Sequence, residues 1–266
     1  MTGDRVALVC GGTSGIGLAA AAALRRDGFT VVVGGRDASR RADAVDALRE
    51  SAAGSQAESA GSVDEVALDT ASDESVTAAV AAVLDRHGRI DVLVNTVGSA
   101  PAGHFDEVEP ARWAAAFDSK VAGAVRTMTA ALPGMRERGS GRIVNIAGTA
   151  GKEPDEWMVV AGSANAALLA VTNAAARQLA PHGITVNAVC PGPTATTRWD
   201  GLVSTYARLS GTEPDEAARV LRAAIPDGRP AHPDEVAAYI AFLASAEAAH
   251  ITGTALAIDG GQSRGI

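Results

Sequence analysis

Aromatic residues make up only 3% of this chain, so alanine, glycine and aliphatic side chains must fill its interior. Cysteine is nearly as scarce. Cys10 and Cys190 each end an apolar run and read as buried free thiols. Two such separated residues support neither a disulfide framework nor a metal site. An excess of positive charge is also missing: the formal net charge is −8 and the pI is about 5.1. That disfavours nucleic acid as a partner. Met1–Arg5 leads straight into an apolar strand with no cationic, leader-like segment ahead of it, and no apolar run reads as long enough to span a membrane. The expectation is a cytoplasmic protein with no membrane partner. Low complexity is absent as well, and with 47% hydrophobic and 20% charged residues the chain is built to fold.

What is present is alternation. Short β-branched runs predict strands at Arg5–Cys10, Thr30–Gly34, Glu65–Asp69, Ile90–Asn95, Gly141–Ala147, Ile184–Cys190 and Ala255–Ile258. Alanine-rich amphipathic stretches between them predict helices at Gly15–Asp27, Ala38–Glu50, Asp73–His87, Pro110–Leu132, Trp157–Ala180, Pro214–Ile225 and Pro233–Ser245. Strands such as Val31-Val32-Val33 are apolar on both faces, which suits a parallel sheet covered on both sides. The expected fold is therefore one α/β domain over residues 1–266, a doubly wound, Rossmann-type parallel sheet of seven strands with helices on both faces. Ser51–Ser62 reads as a polar surface loop ahead of the third strand.

Chemistry concentrates at strand ends. Gly11-Gly12-Thr13-Ser14-Gly15-Ile16-Gly17 directly follows the first strand and opens a helix. Glycines there permit a sharp turn and the approach of a pyrophosphate to free N–H groups at the helix start. Glycine spacing alone is a weak signal, but the strand–turn–helix context strengthens it. At the end of the second strand Gly34-Gly35-Arg36 offers no carboxylate before Asp37. Arg36 could present its planar fork to a 2′-phosphate, or simply be solvated; the reading adopted is NADP rather than NAD.

With these motifs the chain resembles the short-chain dehydrogenase/reductase family. The glycine-rich turn corresponds to Cys10-Gly11 through Gly15-Ile16-Gly17. Asn95-Thr96-Val97-Gly98 resembles the family's Asn-Asn-Ala-Gly, and Leu68-Asp69 ends the third strand where a family Asp contacts adenine. Ile184–Thr194, containing Pro191-Gly192-Pro193-Thr194, matches the sixth strand and the nicotinamide-side loop. Gly228-Arg229-Pro230, Ile251-Thr252-Gly253 and Asp259-Gly260-Gly261 match the C-terminal part. The resemblance implies cofactor contacts at Gly11, Thr13, Ser14, Gly15, Ile16, Gly17, Arg36, Asp69, Asn95, Gly98, Asn165, Pro191, Gly192 and Thr194. It also implies a variable lid at about 196–225 and a homo-oligomer, a tetramer or dimer, paired through the helices at Pro110–Leu132 and Trp157–Ala180.

The resemblance further implies four catalytic groups: a proton-donating Tyr, a Lys four residues on, a Ser, and an Asn in the preceding helix. Counting from the matched strands puts Lys120 at the Asn position, Gly148 at the Ser, Ala161 at the Tyr and Asn165 at the Lys. The only tyrosines, Tyr206 and Tyr239, lie far downstream. Hydride delivery to a carbonyl leaves an oxyanion that some donor must meet. The candidates are Lys120, Thr149 and Asn165. Lys120 is either a donor with a burial-lowered pKa or a lysine that pairs with a nearby acid or reaches water, and the two readings stand level. Lys152, Glu153, Asp155 and Glu156 read as a solvated loop, and His87, His104, His182, His232 and His250 as structural or surface residues. Trp157, Trp199 and Tyr206 either line an apolar pocket or fasten the lid. The expected function is an NADP-dependent oxidoreductase acting on a small-molecule carbonyl or enone with a non-standard proton donor. The alternatives are a non-redox isomerase, cyclase or dehydratase on the same scaffold, or an inactive NADP-binding partner or sensor.

Overall fold

A computed structural model of the protein describes residues 5–51, 60–98 and 100–265. Most of the expected Ser51–Ser62 loop therefore lies outside the described residues. The strands are β1 (Val6–Cys10), β2 (Thr30–Gly35), β3 (Val63–Ala67), β4 (Val92–Asn95), β5 (Gly141–Ile146), β6 (Ile184–Pro191) and β7 (Ala255–Ile258). The helices are α1 (Gly15–Arg26), α2 (Ala38–Glu50), α3 (Asp73–His87), α4 (Pro110–Phe117), α5 (Gly123–Arg138), α6 (Val159–Leu179), α7 (Thr197–Ser210), α8 (Pro214–Ala223) and α9 (Pro233–Ala244). One seven-stranded sheet runs in the order β3-β2-β1-β4-β5-β6-β7, and every pairing in it is parallel. Chain order reverses between β1 and β4, so a crevice opens at their carboxyl ends, where such sheets bind ligands.

Side chains alternate across the strands and build a layer on each face. Val31 and Val33 pack with Ala20, Leu24, Ala237 and Ile240 of α1 and α9. Val32 packs on the opposite face with Val76, Val80, Met128 and Met135 of α3 and α5. The alanines of α1 and α9 let those helices approach closely without aromatic filler.

Four departures from the expected elements have physical reasons. The third strand is Val63–Ala67, not Glu65–Asp69. As an edge strand it pairs only with β2, so it tolerates acids, and Asp64 is bonded to Arg86 and His87. The single helix expected over Pro110–Leu132 is interrupted by a π-helical turn at Asp118–Ala122. It then continues through Pro133 to Arg138, because Met135 is fully buried and Gly139, at φ 63°, provides the left-handed stop. Helix α7 was not expected as a helix, and it packs with α8 around a separate small core of Trp199, Val203, Ala207 and Ala217. Finally, Val159–His182 is long and apolar enough to cross a membrane, contrary to the expectation that no such run exists, with a mean hydropathy of 1.4 over a window that is 44% buried. Its buried Leu168, Thr172, Ala176 and Leu179 face the body of the fold.

A buried polar chain fixes the centre of the sheet. Thr127 donates to Asn95 Oδ1 at 2.8 Å, Asn95 Nδ2 donates to Asn145 Oδ1 at 2.9 Å, and Asn145 Nδ2 donates to Thr172 at 3.0 Å. All four side chains are essentially excluded from solvent. Breaking such a chain leaves a desolvated partner. Asn145→Ala is expected to lower stability by about 2–3 kcal/mol, measured as the shift in the urea unfolding midpoint, whereas a change within noise would show that the chain carries no net stability.

Candidate active site

The glycine-rich turn is shaped by contacts that exclude side chains. Gly11 N–H donates to the Gly34 carbonyl at 2.9 Å, and Gly11 takes φ 79°, a left-handed conformation that favours glycine. A Cβ there would stand 2.8 Å from the Thr96 hydroxyl, and one at Gly17 would strike that hydroxyl and the Gly11 carbonyl. Thr96 in turn donates to the Cys10 carbonyl at 2.7 Å, tying β4 to the turn. Ser14 begins α1 without using its side chain as a cap, and no acid lies in the first turn. The N–H groups there are thus left for an anion. The methyl of Thr196 stands over Gly15, 3.1 Å from where a Cβ would be, so the start of α7 roofs part of the turn.

At the end of β2 the nearby acids are already engaged: Asp37 accepts from Arg40 N–H at 2.9 Å and caps α2, and Glu65 lies 3.3 Å from Arg41. Arg36 and Arg40 are exposed, while Arg41 is buried and donates to the Gly35 and Arg36 carbonyls. Asp69 accepts from the Ala71 N–H at 3.1 Å in a local turn. The Asn95 side chain, expected at the cofactor, is instead 1% exposed and committed at both ends to the core chain. Gly192 and Thr194 hold the loop after β6. Thr194 donates to the Gly192 carbonyl at 3.0 Å, and a Cβ on Gly192 would meet Asp259 at 2.7 Å.

Lys120 lies in the π-helical turn. Gly98, at φ 89°, lets its stem pass, since a Cβ there would be 2.8–2.9 Å from the lysine's Cα, Cβ and Cδ. Lys120, Gly98, Ala100, Ala161, Ala164, Asn165 and Arg198 surround a cavity of about 20 Å³, room for one water. Asp118, the acid nearest in sequence, is held by Arg126 at 2.8 Å. No ion pair to Lys120 exists among the described residues. Burial, and secondarily the positive charge of Arg198, bring the Lys120 ammonium down to about 8. The chain has just two lysines, Lys120 and Lys152; in so arginine-rich a sequence, a lysine at the site was the available signal.

Asn165 is 7% exposed, and its Oδ1 has no hydrogen-bond partner among the described residues. Its Nδ2 lies 3.0 Å from where a Cβ on Gly148 would be, so the amide occupies the space that glycine vacates. Thr149 heads a short 3₁₀ turn and lines neither cavity. Glu153 accepts from Arg264 N–H at 2.7 Å and from Gly265 N–H, holding residues 264–265 against the loop. His104 starts a 3₁₀ turn and His232 caps α9. Both lie away from the cavities. The aromatics fasten the lid region: Trp157 meets Tyr206 edge-on at 5.8 Å, and Trp199 is buried between α7 and α8. Neither tyrosine lines the cavities, and Tyr239 stacks on Phe242. A second, larger cavity of about 300 Å³ adjoins the first and shares Ala100 and Arg198 with it. Sequence reasoning missed both Arg198 and Arg112 here, because nothing in their spacing marks them.

The fold and the glycine-rich crevice define a dinucleotide-binding α/β protein. The chain belongs to the short-chain dehydrogenase/reductase family: residues 11–263 match the family model described as enoyl-(acyl carrier protein) reductase. It is 42% identical over 260 residues to a monensin polyketide synthase putative ketoacyl reductase of Streptomyces virginiae, with 97% of each chain covered. It is 32% identical to the NADPH-dependent reductase BacG of Bacillus subtilis, covering 98% of this chain and 99% of that one. Among solved structures, an actinorhodin polyketide ketoreductase variant with NADPH superposes with a TM-score of 0.92 at 35% identity, with 98% of each chain covered.

The half-buried lysine makes a thermodynamic prediction. Its folded pKa lies below the ordinary value of 10.5, so between about 8 and 10.5 the unfolded chain binds the extra proton, and stability rises with pH across that window. Below it both states are charged and the burial cost is constant. Lys120→Met should therefore stabilise the protein at neutral pH by on the order of 2 kcal/mol, allowing for partial solvent access. The gain should shrink by more than half near pH 10. Urea titrations at the two pH values check this, and a pH-independent difference would refute the burial cost.

Proposed function

We propose that the protein is an NADPH-dependent reductase of a ketone or enone carbonyl in which Lys120 supplies the proton. The observation that carries this reading is a half-buried lysine with no counter-charge among the described residues, beside a cavity lined by Ala161 and Asn165. On the family pattern, Lys120, Gly148, Ala161 and Asn165 occupy the places of the Asn, Ser, Tyr and Lys tetrad, so the usual phenol and ammonium pair is replaced. NADPH bound in one relative, NADPH dependence named for a second and putative ketoacyl reduction for a third support the cofactor and the carbonyl class.

The residues present suit the cofactor. Gly11, Thr13, Ser14, Gly15, Ile16 and Gly17 form a cradle that side chains would fill. With Asp37 turned to its helix cap, Arg36 faces a 2′-phosphate without a competing carboxylate. Asp69 borders the adenine position. Gly98, Pro191, Gly192 and Thr194 border the nicotinamide, and the orphaned Oδ1 of Asn165 would accept from a ribose hydroxyl. Asn95 acts from beneath as a positioning residue. When bound, the cofactor supplies a hydride. Lys120 as an ammonium orients the carbonyl oxygen and gives it a proton, and the positive charge of Arg198 favours that release. Thr149 offers a hydroxyl one residue past Gly148, in the turn after β5. Residues 196–225 act as the lid that shuts out water.

The test is NADPH oxidation over a ketone and enone panel. Turnover should favour NADPH over NADH and fall as pH rises through about 8, where Lys120 loses its proton. Lys120→Met should reduce kcat by about 100-fold or more and abolish that limb while NADPH still raises the melting temperature. Lys120→Arg should not rescue it, because arginine does not release a proton. Cofactor stabilisation with no turnover of any substrate by the wild type would favour a sensor or partner role instead.

A second copy of the chain packed on α5 and α6 accounts for an apolar helix with less than half of its window buried. Sedimentation should give a dimer or tetramer at micromolar concentration; a monomer would remove this part of the reading.

A further inference from the structure

The larger cavity differs from the rest of the surface in its charge. It is lined by the segment after β4, by Met158 at the start of α6, and by one face of α7. Its only charged lining residues are Arg112 and Arg198, with no carboxylate among them. Lys120 stands in the adjoining cavity. Three cations thus converge in a chain whose acids outnumber its bases, 31 to 23.

Arg112 and Arg198 are both exposed, yet many other arginines here, exposed or partly buried, are neutralised or bonded. Arg25, Arg41, Arg86, Arg89, Arg126 and Arg138 all donate to carbonyls or carboxylates. The side chains of Arg112 and Arg198 make neither a hydrogen bond nor an ion pair with any described residue, although Glu109 and Asp200 are close in sequence. The placement of Arg198 is also unfavourable for the isolated fold. It lies in the first turn of α7, after the Thr196 cap, where the helix dipole is positive and a cation costs rather than gains energy. The adjacent Trp199 is buried, so the backbone carrying Arg198 is anchored. An anion in the cavity would offset both the mutual repulsion and the dipole. The cofactor phosphates would not do so, since none of the glycine-rich turn residues lines this cavity.

We infer that the cavity of about 300 Å³ is a receptor for an oxyanion carried by the substrate, a carboxylate or a phosphate group, gripped by Arg112 and Arg198 while the carbonyl is presented to Lys120. The guanidinium fork suits either group through paired hydrogen bonds. Apolar Met158 and Leu202 leave room for the linking chain. This rests on the reductase reading for the carbonyl but not for the anion, and the experiment separates the two.

The NADPH-loaded protein is assayed with acetoacetate, 5-oxohexanoate and 7-oxooctanoate against their methyl esters. Acetonylphosphonate is assayed against its dimethyl ester. Both NADPH oxidation and the ligand-induced shift in melting temperature are read. At the chain length that spans the cavity, the free acid should exceed its ester by about tenfold or more in kcat/KM. It should also raise the melting temperature where the ester does not. Arg198→Met should bring acid and ester to near equality, Arg112→Met should do so in part, and Arg198→Lys should keep part of the preference. Phosphonate outperforming carboxylate, or the reverse, identifies the oxyanion, and either supports the receptor. Acid-specific stabilisation lost in Arg198→Met, without turnover of any ketone, would uphold the receptor and defeat the reductase reading. Esters matching acids in both readouts would overturn the receptor, even with brisk reduction. So would a preference that survives in the double variant, or no stabilisation by any acid or phosphonate.

Discussion

The amide of Asn95 and the amide of Asn145 meet at 2.9 Å in the middle of the sheet, and much of the site depends on that contact. Through Thr127 and Thr172 it ties β4 and β5 to α5 and α6. Those four elements lead into Gly98, Gly148, Lys120 and Asn165. The loops above can therefore carry glycine and alanine without losing their spacing, because their anchoring lies below them in the dry interior. A polar chain fully satisfied within itself is also a poor place for a cofactor contact, and both ends of the Asn95 amide are spent in it.

Much of the architecture was legible in the chain. Strands apolar on both faces, such as Val31–Val33, announce a covered parallel sheet, and a glycine-rich turn after the first strand announces a crevice. What was hidden follows tertiary rules. Strand β3 carries Asp64 and Glu65, since an edge strand with cationic neighbours does not require an apolar run. The helix through Pro133 continues because burial of Met135 outweighs one missing N–H. Helix α7 is marginal by composition, and its helical form depends on Trp199 and Val203 meeting α8.

At the site, sequence spacing brought Lys120, Asn165, Gly98 and Ala161 to the right neighbourhood, but not their charge states. That Lys120 lacks an acid partner among the described residues follows in part from Arg126, six residues on, which claims Asp118. That Arg112 and Arg198 line one cavity is decided by tertiary packing of distant segments, which no local pattern encodes. The result is that Lys120, Arg112 and Arg198 line adjoining cavities in an acidic protein.

The π-helical turn at Asp118–Ala122 has an evolutionary corollary. Such a turn amounts to one residue accommodated within an α-helix, and successive residues of an α-helix are separated by about 100°. Loss of a single codon in this stretch would regularise the helix and swing another side chain into the crevice. The identity of the group presented there is thus sensitive to the length of this helix as well as to substitution.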